Sequence, residues 1–155
     1  MAIFLTALSI WLHALATIIM IGYYIFISLI FLPIFEGQMQ GTALRNMLER
    51  VSSRFRPYFG GSLLIFVITG SYLMLINKNY LGLGHFFGNP WSSLIVIKHL
   101  LVLIFLVLAI YAERAFLTQI SDENSVPLKK FRLATYINTC VGVVIILLTS
   151  IAQAA

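Results

Sequence analysis

The chain has 155 residues, of which 61% are hydrophobic and 10% charged, with a formal net charge of +5. Soluble domains carry roughly 25% charged residues, so this composition, with a mean hydropathy of +0.99, excludes a soluble monomer. The basic residues form two short clusters between apolar segments, which excludes nucleic acid as the reason for the charge and fits a membrane-topology signal.

Four segments carry the roughly 20 mostly apolar residues that a helix needs to cross a bilayer. They are about Ile3–Leu32, Tyr58–Asn77, Trp91–Ala112 and Leu133–Ala152. The expected fold is all-α, an integral membrane four-helix bundle forming a single domain over 1–155. The first apolar run has no basic residue before it and exceeds the roughly 7–15 residues of a signal core, so it reads as a retained helix. Pro33 is expected to close it and Pro57 to open the next, since proline costs a helix least at its ends. Between them, Leu44, Met47, Leu48, Val51 and Phe55 recur at helical spacing among arginines. That stretch reads either as a short amphipathic helix on the membrane surface or as an extension of the second span.

The loop Asn77–Pro90 holds Asn-Lys-Asn, three glycines and Asn-Pro, all breaker signals. Trp91 then stands where an interfacial aromatic anchor belongs. Charge sets the orientation. Arg45, Arg50, Arg54 and Arg56 follow the first span, and Arg114, Lys129, Lys130 and Arg132 follow the third, whereas the middle loop has only Lys78. The positive-inside rule makes the two basic loops cytoplasmic and leaves both termini and His85 on the outer, periplasmic side of the inner membrane.

Polar residues in a span face the bundle interior or a cavity. In the first span Ser9, His13, Thr17, Met20, Tyr24 and Ser28 form one stripe; in the fourth, Thr135, Asn138, Gly142, Ile145, Thr149 and Ala152 do the same. The second span offers Ser62, Phe66, Thr69 and Leu73, with Gly70 beside Thr69, and the third offers Ser92, Ile95, His99, Leu106 and Ile110. Small and polar residues at such spacing are packing seams first of all.

The histidines say more. At 1.5 Å per residue, His13 and His99 lie at one depth, roughly 12–15 Å below the outer boundary. Two imidazoles on inward faces can clamp a planar cofactor, and haem iron takes axial ligands from opposite sides. Bundle cores are a usual place for such a site. Thr17 shares the His13 face, and Thr69, Gly70, Ile145 and Thr149 lie near that level, leaving room for a ring edge. Propionates would reach toward Lys98, Lys78 or His85. Three histidines support one haem b. The alternative reading of either histidine is a hydrogen bond to a neighbouring helix, and His85 reads as an exposed loop residue.

The layout also resembles a known group. Trp11-Leu12-His13-Ala14-Leu15-Ala16, with Ile21-Gly22 and Pro33, resembles the first helix of the CopD and HemJ group of small bacterial membrane proteins. Arg54-Phe55-Arg56 leading to Ile68-Thr69-Gly70, and Trp91 followed by Lys98 and Arg114, resemble their next two helices. The resemblance implies a four-helix core, and either copper handling or protoporphyrinogen oxidation with bound haem. It matches His13 to the first-helix histidine and Lys98 to the third-helix lysine. His99 departs from the group's pattern, and Tyr111-Ala112 replaces its tyrosine-histidine pair. A second histidine favours a six-coordinate iron that transfers electrons, because no ligand position stays open.

The expected function is therefore a membrane cytochrome passing electrons between an outer-surface carrier and a quinone or partner subunit, within a complex or homo-oligomer. Rival readings are a porphyrinogen oxidase using His13 and Lys98, a copper permease or binding module using His13, Met20, Met74 and His85, and a cofactor-free structural subunit. Thioether and imidazole ligands suit Cu(I). Ser, His and carboxylate converge in no hydrolase motif, and there is no CxxC, CxxCH or phosphate-binding loop.

Overall fold

A computed structural model describes residues 1–39, 41–82, 84, 85 and 87–154. Helix α1 runs Ala2–Phe35, α2 Gly41–Leu75, α3 Pro90–Gln119 and α4 Val126–Ala154, with no strand among the described residues. Each is long and apolar enough to cross a membrane, so the chain is a multi-pass, all-α membrane protein. At 1.5 Å per residue, the 35 residues of α2 extend about 52 Å, well beyond a hydrocarbon core of about 30 Å.

Two prolines do not punctuate the helices as expected. Pro57 lies inside α2 rather than at its start, so the amphipathic segment is an extension of the second span. Leu44, Leu48 and Ser52 bury one face of that extension, while Pro57 and Ser53, the residue whose carbonyl loses its partner, are exposed. Pro33 likewise does not close α1. The turn before it widens to π geometry over Phe26–Phe31, with the Leu32 N–H donating to Ile27 O, and the helix continues to Phe35. At the start of α3, by contrast, Pro90 follows an Asn89 cap that accepts from Ser92 N–H at 2.7 Å.

The termini and the 77–89 loop lie at one end of the bundle, and the basic loops lie at the other. Close pairs form between α1 and α2 and between α3 and α4, and α1 joins the pairs by packing on α4. Helices α2 and α3 stand apart except near the basic end, where Glu113 meets Ser52 and Arg56 and the last turn of α3, Leu117–Gln119, reaches α2. The α1–α4 seam follows the expected stripes: Ser9, Met20, Tyr24 and Ser28 are buried, as are Thr135, Asn138, Ile145 and Ala152. Ser28 and Thr139 share a hydrogen bond at 2.9 Å, and a Cβ on Gly142 would stand 2.7 Å from Ile21 Cγ2. Only glycine admits so close an approach.

The inward face of α3 is a correction. Of the expected face Ser92 is buried, but the rest of the buried set is Trp91, Lys98, Phe105, Ala109 and Ala112, whereas His99 and Ile110 are exposed. The helix is therefore rotated by about one residue, roughly 100°, from the Ser92–His99 face. Trp91 is 7% exposed and packs inward rather than serving as a lipid-facing anchor.

Below this level the basic end closes tightly. Ile27, Phe31, Leu32, Leu44, Leu48, Leu117 and Ile120 form one buried cluster. Arg132 pairs with Glu36 at 3.0 Å and Arg56 with Glu113 at 3.3 Å. Asp122 clasps the first turn of α2, accepting from Thr42 N–H at 2.9 Å and Thr42 Oγ1 at 2.8 Å.

Candidate functional site

Because α2 and α3 stand apart, the terminal end of the bundle encloses a cavity of about 750 Å³, within the roughly 300–1,000 Å³ of small-molecule sites. All four helices line it, and its walls are mainly aliphatic and aromatic: Leu63, Phe66, Trp91, Val102, Leu106 and their neighbours. Of the polar and sulfur-bearing residues in the lining, His13 comes from α1, Met74 from α2 with Gly70 nearby, Lys98 and His99 from α3, and Thr149 from α4, with Asn77, Lys78 and Asn79 of the loop among the others.

His13 is held on three sides. Its ring stacks on Phe66 with centroids 4.3 Å apart and planes at 23°, and Nδ1 lies 3.0 Å from Thr69 Oγ1. Gly70 makes the approach possible, since a Cβ there would stand 3.0 Å from His13 Cε1. Thr69 has a single hydroxyl proton, and it is directed to Ile65 O at 2.6 Å. The Thr69 oxygen therefore accepts, and His13 Nδ1–H donates. That assignment leaves Nε2 as the bare nitrogen, the form in which imidazole binds metal.

His99 reaches the same state by another route. Its Nδ1 lies 2.7 Å from Ile95 O, and a carbonyl can only accept, so Nδ1 carries the proton and Nε2 is free. The histidine is exposed at the cavity's edge, not on the buried face of α3. Lys98 takes that face instead and is only 9% exposed. No Asp or Glu lines the cavity among the described residues, so the ammonium enters an apolar space without an opposing carboxylate. A buried lysine in that position favours an anionic ligand.

Of the other residues expected here, Thr69 acts through His13, and Gly70, Lys78 and Thr149 line the cavity. Thr17, expected to bind the cofactor, is not in the cavity lining and donates its hydroxyl to His13 O at 2.8 Å. Ile145 and Met20 sit in the buried mid-membrane cluster, and His85 is absent from the lining. Met74, reached in the sequence only through a copper ligand set, stands in the same cavity as both histidines. Among the described residues no group of three or more His, Cys, Asp or Glu side chains is placed to hold a metal ion.

The family model for Copper resistance protein D, CopD, matches residues 49–152, about two thirds of the chain. The chain belongs to the CopD family. The match begins inside α2 and takes in Thr69, Gly70, Met74, Lys98 and His99, while His13 precedes it. No curated protein and no solved structure matches this CopD-family chain.

Proposed function

We propose that this CopD-family protein binds one haem b in the terminal-end cavity, through His13 and His99, and passes single electrons in the membrane. The observation that carries the reading is the shared tautomer. Two imidazoles on the walls of one apolar cavity each have Nδ1–H committed, so each offers Nε2. The chain's residues divide the work of holding such a group. Thr69 and Phe66 fix the His13 ring, Gly70 gives it clearance, Ile95 O orients His99, and Lys98 meets a carboxylate in a space that has none of its own. Iron ligated by both imidazoles has no open position, which suits electron transfer rather than substrate chemistry. The same reading places the termini and the cavity at the outer side of the cytoplasmic membrane, with the basic end inside.

The family's name, Copper resistance protein D, and the presence of Met74 favour a second reading, in which the cavity handles Cu(I) through His13, His99 and Met74. Lys98 weighs against it, because a buried ammonium repels a bare cation but neutralises a propionate.

The deciding experiment is a dithionite-reduced minus air-oxidised absorbance spectrum of the protein purified in mild detergent, with metal analysis of the same sample. Low-spin haem b bands that are lost or become high-spin in both His13→Ala and His99→Ala are the expected result. A colourless protein that remains so after expression with added haem, but binds copper in a Met74-dependent way, would establish the second reading instead.

A further inference from the structure

The basic half of the bundle holds a second cavity, of about 330 Å³, between α1, α2 and α3. Its walls are aromatic: Tyr23 stacks on Phe55 with centroids 4.0 Å apart and planes at 6°, and Tyr24 and Phe59 complete the lining. At its polar end stands Glu113, in a π-helical turn of α3 over Ala112–Phe116. Such widened turns are frequent at functional sites. The Glu113 carboxylate accepts from Ser52 Oγ and from Arg56 Nε, and its side chain is 22% exposed.

Beyond the Ser52–Glu113 and Arg56–Glu113 bonds, the lining includes two exposed apolar positions, Gly60 of α2 and Ile110 of α3. One turn further along, Leu63 and Leu106 begin the lining of the terminal-end cavity, so an apolar groove continues between the two helices. We propose that this inner cavity is a binding site for a membrane-soluble quinone, ring against the aromatic wall and tail along the α2–α3 groove.

Three features select that chemistry. The volume is at the lower end for ligand sites, about 300 Å³, which suits one substituted ring. Flat aromatic walls favour a planar ring by offset stacking. The polar end serves both oxidation states: an ionised Glu113 accepts from a quinol hydroxyl, and the guanidinium N–H groups of Arg56 not directed at Glu113 can donate to a quinone carbonyl. A phospholipid phosphate would share Arg56 and Arg114, the other arginine of the lining, but would make no use of the Glu113 carboxylate, a like charge. The site stands on its own geometry and does not depend on what the terminal-end cavity holds.

The test uses the full chain in phosphatidylcholine nanodiscs and tritiated decylubiquinone as probe, followed by equilibrium binding. Saturable binding is expected, retained in His13→Ala and weakened at least about tenfold, or 1.4 kcal/mol, in Gly60→Leu. An added Cβ at Gly60 meets nothing within 4 Å, so leucine there fills space at the cavity lining without straining the helix. Arg56→Gln, at an exposed position, should weaken binding of the oxidised probe. Absence of saturable binding, unchanged affinity in Gly60→Leu, or loss of binding in His13→Ala would overturn the assignment. Displacement by phosphatidylglycerol but not by unlabelled decylubiquinone would overturn it as well, in favour of a lipid.

Discussion

The two ends of this bundle solve opposite problems with the same four helices. At the basic end, Leu32, Leu44 and Ile120 are fully buried and helices from all parts of the chain converge. At the terminal end, Ile3, Phe4, Leu5 and Leu8 are exposed and α2 stands off from α3 around a cavity. The difference lies in what covers apolar surface. At the basic end the helices converge, apolar side chains cover one another, and the core closes as in a soluble protein. Inside the bilayer, lipid covers the outer faces at little cost, so helices need not meet, and a space can remain for a ligand. The basic-end core therefore concentrates stability, while the terminal end holds the larger of the two cavities described.

The sharpest way to break this contrast is to truncate matched leucines. Leu48→Ala, at 1% exposure, should cost about 2–5 kcal/mol, whereas Leu103→Ala, at 58% exposure, should stay within about 0.5 kcal/mol. Both are read from denaturation of the solubilised protein, and equal losses would mean that the ends are not energetically distinct. Next in size is the seam that joins them. Gly142→Ala presses a methyl onto Ile21 and should cost about 1–3 kcal/mol by overpacking, seen as a lowered thermal midpoint. A neutral result would show that α1 and α4 can separate freely.

At the terminal end the expected effects move from stability to ligand. Thr69→Val removes the acceptor of His13 Nδ1–H and should weaken the proposed haem binding about 10–100-fold, measured by haem titration, with only a minor change in helicity. A variant that loads haem as tightly as the wild type would show that Thr69 does not orient the ring. The smallest effect belongs to the Asp122 clasp. Hydrogen bonds from the Thr42 amide and hydroxyl hold the Asp122 carboxyl below its ordinary value, near 3.9 in water. Because that value is depressed in the folded chain, the clasp contributes at neutral pH and is lost as the pH falls through the folded value. Asp122→Asn should thus lower the thermal midpoint slightly at neutral pH and converge with the wild type in acid.

Much of this arrangement was legible in the sequence, and the failures have physical causes. The spans and the stripes of α1 and α4 were readable because small and polar residues at 3.6 spacing stand out against apolar neighbours. The face of α3 was not. Around Lys98 and His99 almost every residue is Leu, Ile or Val, so periodicity carries no phase, and the expectation that a lysine snorkels outward favoured the wrong neighbour. Pro57 misled for a different reason. Its cost depends on whether the carbonyl four residues back can find another partner, and that follows from the exposure of Ser53 rather than from the proline itself. In the cavity, the histidines were found as residue types, but their protonated nitrogens follow from Thr69, Ile65 and Ile95, contacts that only the folded chain supplies. The four-helix membrane fold and the CopD resemblance agree with the structure and with the family match over residues 49–152.

The length of α2 has a mechanical consequence. A single rod joins the Asp122 clasp at Thr42 to the His13 partner at Thr69, 27 residues and about 40 Å apart at 1.5 Å per residue. Pro57 sits near its middle, at the one place where the helix gives up a hydrogen bond and bends most easily. The rod is a lever with a built-in fulcrum. Displacement of its basic end, by anything that grips the loops there, is thereby expected to carry to the hydroxyl that sets the His13 ring.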